Sequence, residues 1–135
     1  MSDDPALRAA YQRYLQCLNG RDLDLLGDHV AEDVRRNGEH LGLTGYRQML
    51  QEDFERIPDL TFVLDLLVTG GDVVAARLVF DCSPAGELFG ARVDGRRVVF
   101  CEHVFYRYVD DKITEVHSLL DGDAVRGQVG VPGSR

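Results

Sequence analysis

Apolar residues recur at helical spacing as far as Ile57 and at strand spacing from Leu60 onward, and this change of period limits the folds open to the chain. Leu7, Ala10, Tyr11, Tyr14, Leu15 and Leu18 mark one helix face. Asp4 followed by Pro5 predicts its N-cap and first turn, and Gly20 predicts its stop. A short second helix is predicted from Asp22, carrying Leu23, Leu25 and Leu26. The stretch VRRNGEHLGLTGY reads as a short extended piece and a loop. Tyr46, Met49, Leu50, Phe54 and Ile57 predict a further amphipathic helix ending before Pro58. LTFVLDLLV and VVAARLVFDCS then read as two strands joined by a GGD hairpin turn. PAGELFGARVDG is a longer loop or irregular hairpin, and RRVVFCEHVFYRYV, DDK and ITEVHSLLD are a long strand, a turn and a last strand. Helices followed by an antiparallel meander define an α+β fold, with the helices packed on one face of a bent sheet.

At 135 residues the chain predicts one domain, over 1–128, with a loose Gly-rich tail over 129–135. Its formal net charge of −8 argues against nucleic acid and anionic membrane surfaces as partners. Cys17, Cys82 and Cys101 are odd in number and form no CxxC pair, as expected of reduced thiols in a cytoplasmic protein. The acidic start MSDDPALRAA lacks the apolar core of a signal peptide, and no apolar run reaches membrane-spanning length. There is no metal-ligand spacing, no phosphate-binding glycine loop and no Gly-x-Ser-x-Gly elbow, so no metal, nucleotide cofactor or serine hydrolase chemistry is expected.

Strand alternation sorts the candidate chemistry by face. Val99, Cys101, His103, Phe105 and Arg107 share one side of the long strand, and Phe100, Glu102, Val104, Tyr106 and Tyr108 share the other. Both sides are partly apolar, which predicts a cover on each: helices and a pocket on one, a second subunit on the other. Glu102 is read as a surface or interface group. In the last strand, strict alternation puts Glu115, His117 and Asp121 on the side of Ile113 and Leu119. Three ionisable groups on an apolar face are more readily explained by a cavity that does chemistry than by a packed core.

RLVFDCSPAGELFG, GRRVVFCEHVFYRY and DDKITEVHSLLD, with RRNGEHLGLTGYRQML and IPDLTF before them, resemble the SnoaL-like polyketide cyclase and ester cyclase group of the NTF2-like superfamily over roughly residues 7–128. Tyr106–Arg107 and Asp121 match the group's last hairpin. The turn Asp110–Asp111–Lys112 lacks its usual Gly, and His117 stands where the group has Trp. The resemblance implies a cone: a strongly bent antiparallel sheet wrapped around N-terminal helices, with a pocket at the open end and a homodimer through the outer face. It also implies cofactor-independent, intramolecular aldol-type cyclisation of a small apolar carbonyl or polyketide-like compound.

On that resemblance Asp121 is the expected general acid/base, its pKa raised by burial in an apolar pocket. His103, Asn37 and Arg77 are candidate donors to the enolate oxygen, His103 being grouped with Asp121 as catalytic. Asn37, Arg77, His117 and Tyr46 are the candidate substrate-binding residues. Two other readings share this fold. One is a limonene-epoxide-hydrolase-like enzyme using Asp121, Arg77 and Asp81. The other is a non-catalytic small-molecule-binding or dimerisation module.

Overall fold

The computed structural model describes residues 3–130. Helix α1 spans Pro5–Asn19; the Asp4 carboxylate accepts from the Leu7 backbone N–H at 3.1 Å, and Pro5 opens the first turn. A 3-10 helix, Leu23–Asp28, follows. Strands β1 (Val30–Arg36) and β2 (Glu39–His40) form the extended piece, and α2 spans Gly42–Arg56, starting earlier than its apolar spacing indicates. Then come β3 (Val63–Gly70), β4 (Val73–Cys82), the small hairpin β5 (Glu87–Leu88) and β6 (Ala91–Arg92), β7 (Val98–Val109) and β8 (Lys112–Leu120). The two residues between β7 and β8, Asp110 and Asp111, both hold positive φ, 50° and 63°. Asp tolerates that conformation, so the turn closes without the expected Gly.

Six strands pair in the order β2-β1-β8-β7-β4-β3. The bent sheet is mixed, not purely antiparallel, because β1 lies parallel to β8. The chain reaches that position by crossing from the N-terminal helices to the sheet edge before the meander begins. Apolar side chains of α1 and α2 fill the concave side: Tyr11, Tyr14 and Leu18 from α1 and Tyr46, Leu50 and Phe54 from α2 pack with Val74, Leu78, Val104 and Val116 of the sheet.

A last helix, α3 (Gly122–Val129), was not evident from the sequence, where Gly122 and Gly127 read as loop. Two anchors hold it. Asp121 is its N-cap, and Val125 is fully buried. Gln128 works as a third, because β7 begins before β8 can pair with it. The Val99 backbone N–H donates to Gln128 Oε1 at 2.8 Å and Gln128 Nε2 donates to the Val99 carbonyl at 2.5 Å, so one amide side chain satisfies both edge groups. Of the expected tail, residues 131–135 lie outside the described residues.

All five tyrosines gather at one end of this core. Tyr11 donates to Tyr106 at 3.3 Å, and Tyr14 and Tyr46 hydroxyls lie 2.7 Å apart. The Tyr108 hydroxyl alone is buried with no partner among the described residues. Leaving a buried hydroxyl unpaired is costly, so Tyr108→Phe is expected to stabilise the protein by about 1 kcal/mol, a rise of a few degrees in Tm by calorimetry.

Candidate active site

The face of β8 that looks into the protein is set by a bulge. Arg107 pairs with Glu115 but Tyr108 pairs with Ile113, so Thr114 is an extra residue in β8. One inserted residue reverses the alternation beyond it. Ile113 is therefore 0% exposed while Leu119, an even number of residues away, is 72% exposed. Strict alternation had placed Glu115, His117 and Asp121 with Ile113 on an inner face. The bulge turns that set outward and aims Val116, Ser118 and Leu120 inward.

The expected site residues separate accordingly. Asp121 is exposed, and its carboxylate accepts from the Ala124 backbone N–H at 3.1 Å as the cap of α3. It does not reach the interior, which corrects the expectation of a buried terminal acid. Losing that cap by Asp121→Ala is expected to cost about 1 kcal/mol in denaturant unfolding. His103 and His117 are exposed on the outer face, where His117 Nε2 lies 3.4 Å from Glu115. His103 shares with Asp121 only an open cleft outside the core. Arg77 is also on the outer face and donates to Asp65 at 2.7 Å. Asp81 pairs with Arg97 across the same surface. The Asp121, Arg77 and Asp81 set therefore cannot hold one water between them, and the epoxide-hydrolase reading loses its residues. Asn37 sits at positive φ in the β1–β2 turn and clips β8, accepting from Ser118 N at 2.8 Å. Tyr46 alone among the expected residues lines the interior cavity.

That cavity, about 160 Å³, lies between α1, α2 and the concave sheet face. An apolar cavity of about 150 Å³ holds one benzene, so this space suits a single-ring compound. One end is tyrosine: Tyr14, Tyr46 and Tyr106. The other is phenylalanine: Phe54, Phe62, Phe80, Phe100 and Phe89 form a ladder with successive ring centroids 6.3, 5.3, 5.2 and 5.5 Å apart. Leu88 and Phe89 come from the β5–β6 hairpin, which closes the apolar end.

Four charged side chains line this space: Glu102 from β7, Asp53 and Arg56 from α2, and Arg36 from β1. Glu102 is the deepest. It shares its strand face with Phe100, Val104 and Tyr106, and reading it as a surface group is thereby corrected. Burial pushes its carboxyl above the ordinary value, while the Ser118 hydroxyl, donating to Oε2 at 2.5 Å, and Arg36 pull the other way. Asp53 lies at the rim, solvent-exposed on its outer side; burial of its inner side raises it to about 6 against the pull of Arg36. Burial likewise raises Tyr14 and Tyr46. The two hydroxyls share one hydrogen bond, in which either can donate.

The sequence did carry a signal for these residues. Glu102 is the single carboxylate on an otherwise apolar strand face, and Asp53 falls four residues after Met49, at the edge of the apolar face of α2. Among the described residues no group of His, Cys, Asp and Glu is arranged to hold a metal ion. No described helix is long and apolar enough to cross a membrane.

A bent mixed sheet closed over helices, with an aromatic hollow inside, is the NTF2-like fold. The SnoaL-like polyketide cyclase model matches residues 8–129, and the chain belongs to that family. A SnoaL-like polyketide cyclase from Agrobacterium tumefaciens strain C58 is 45% identical, with a TM-score of 0.90 over 96% of this chain and 100% of that one. IdmH from Streptomyces antibioticus, a candidate polyketide cyclase, has 23% identity and a TM-score of 0.79 over 93% and 99% of the two chains. AclR from Streptomyces galilaeus, described as a candidate hydroxylase, has 20% identity and a TM-score of 0.77 over 94% and 98%. The last two show the fold alone. No curated protein matches the chain significantly.

Proposed function

We propose that this protein is a cofactor-independent acid/base enzyme acting on a small carbonyl compound, with Glu102 as the proton-transfer group. One observation carries the reading: the inner of the cavity's two carboxyls, Glu102, has a raised pKa and is held by one hydroxyl among aromatic side chains. A carboxyl raised by burial is better matched to taking and returning protons than an exposed one. In a ring closure it removes a proton from the carbon beside a carbonyl. The enolate carbon then attacks a second carbonyl of the same molecule, forming the C–C bond. The new alkoxide takes the proton back from Glu102, so atoms and charge balance. Tyr46, whose side chain lines the cavity beside Tyr14, is the donor to the enolate oxygen.

The test needs no natural substrate. Cyclohexanone fits a one-ring cavity, and exchange of its α-protons for deuterium is followed by proton NMR. Wild-type protein is expected to speed exchange and Glu102→Gln to lose that effect. A folded wild-type protein that leaves exchange at the buffer rate would instead support the binding-module reading. A second enzymatic reading has its own support: Asp53, Arg36 and Glu102 supply one cavity with the two acids and arginine used to activate water. Hydrolysis of a small cyclic epoxide without ketone exchange would favour it.

We also propose that a second copy covers the outer sheet face. Val63, Leu66, Val68, Val99, Phe105 and Leu119 are exposed there, and Arg77–Asp65 and Arg97–Asp81 already pair within the chain. An apolar face with its charges internally matched suits a two-fold self-contact. Light scattering on wild type is expected to give a dimer and on Phe105→Glu a monomer; a monomeric wild type would remove the proposal.

A further inference from the structure

Arg36 differs from most of the arginines around it. Arg8, Arg77, Arg92, Arg97, Arg107 and Arg126 each pair with a carboxylate. Arg21, Arg35, Arg47 and Arg96 donate to backbone carbonyls. Arg36 is half-buried on the cavity wall and, among the described residues, has no acceptor within hydrogen-bond distance and no carboxylate within ion-pair distance. Its charge is felt by Asp53, Glu102 and Tyr46, so it faces the same space they do without touching either acid. The lining brings two guanidinium groups, Arg36 and Arg56, beside Asp53 and Glu102 in a chain whose formal charge is −8. A guanidinium withdrawn from water and left unpaired is costly; its planar donor fork matches a carboxylate.

We infer that the substrate is a one-ring carbonyl compound bearing a carboxylate, and that Arg36 receives that carboxylate and sets the molecule's direction in the cavity. This rests on the acid/base reading of the same cavity and adds the substrate's charge to it. The carboxylate fixes one end at Arg36, leaving the apolar ring against the phenylalanine ladder and the reacting carbonyl toward Tyr46 and Glu102.

Benzoate and benzamide have the same ring and nearly the same size, and differ in charge. Titration calorimetry at neutral pH is expected to show benzoate binding wild type at least about tenfold more tightly than benzamide, as a charged hydrogen-bonded pair provides. Arg36→Gln is expected to remove that preference, leaving benzamide within about twofold, and Arg36→Lys to restore part of it. Arg13→Gln makes the same change in net charge on exposed surface and is expected to leave the preference intact. Equal binding of the two rings to wild type, equal losses in the Arg36 and Arg13 variants, or no benzoate binding at millimolar concentration would each overturn the inference. Exchange on uncharged cyclohexanone separates the two claims: exchange without benzoate preference removes the carboxylate and keeps Glu102. Benzoate preference lost in Arg36→Gln, without exchange, keeps Arg36 as an anion site and removes the catalytic role of Glu102.

Discussion

Glu102→Gln is expected to lower catalysed α-proton exchange by about 10²–10⁴-fold, the usual contribution of a positioned acid/base group. Glutamine keeps the shape and can still accept from Ser118, so circular dichroism and ligand binding should be preserved. Asp121→Asn is the matched control. Asn also caps helices, and the residue lies outside the cavity, so exchange should stay within about twofold of wild type. The reverse pattern would return the chemistry to the end of β8. The same substitution has a stability signature. Burial raises the Glu102 carboxyl, so the folded chain holds a proton that the unfolded chain releases. That contribution is fully present below the ordinary value of 4.5 and is lost as pH rises through the folded value. Glu102→Gln, which has no proton to lose, is therefore expected to unfold at higher denaturant than wild type at alkaline pH, with the gap closing in acid. Asp53 acts in the same direction between 3.8 and about 6, weakened by its exposure at the rim.

The second large effect is expected at the other end of the cavity. Phe80 is 3% exposed and stands in the middle of the phenylalanine ladder, between Phe62 and Phe100. Phe80→Ala should cost about 3–5 kcal/mol in urea unfolding, from lost burial and the void left behind. Ring-on-ring contacts to two neighbours add to it. The void joins the cavity, so the variant is also expected to bind two-ring ligands such as naphthalene derivatives better, relative to benzene derivatives, than wild type does. A cost below about 1 kcal/mol would mean that the ladder collapses to fill the space.

The fold was largely legible because local signals agreed with one another. The α1 cap, the Gly70–Gly71 turn and the long β7 alternation each pointed to the structure that formed. Site placement failed at one residue. Period-2 reading assumes an unbroken strand, and Thr114 breaks β8 with no glycine or proline to announce it. Everything after the bulge was then assigned to the wrong side, which moved His117 and Asp121 into a cavity that they face away from. On β7 the alternation itself held, but nothing local says which face is concave. That depends on where α1 and α2 pack, and so Glu102 passed for a surface acid. Helix α3 was hidden for a related reason: its stability comes from Asp121, Val125 and Gln128 meeting distant backbone and core, and not from its own two glycines.

Selective ¹³C labelling of glutamate, with the Glu102 carboxyl signal assigned by its absence in Glu102→Gln, tests the central claim directly. The account predicts that this signal titrates above the ordinary 4.5 and that a bound ring compound perturbs it. A midpoint at the ordinary glutamate value, unmoved by any ligand, would contradict it.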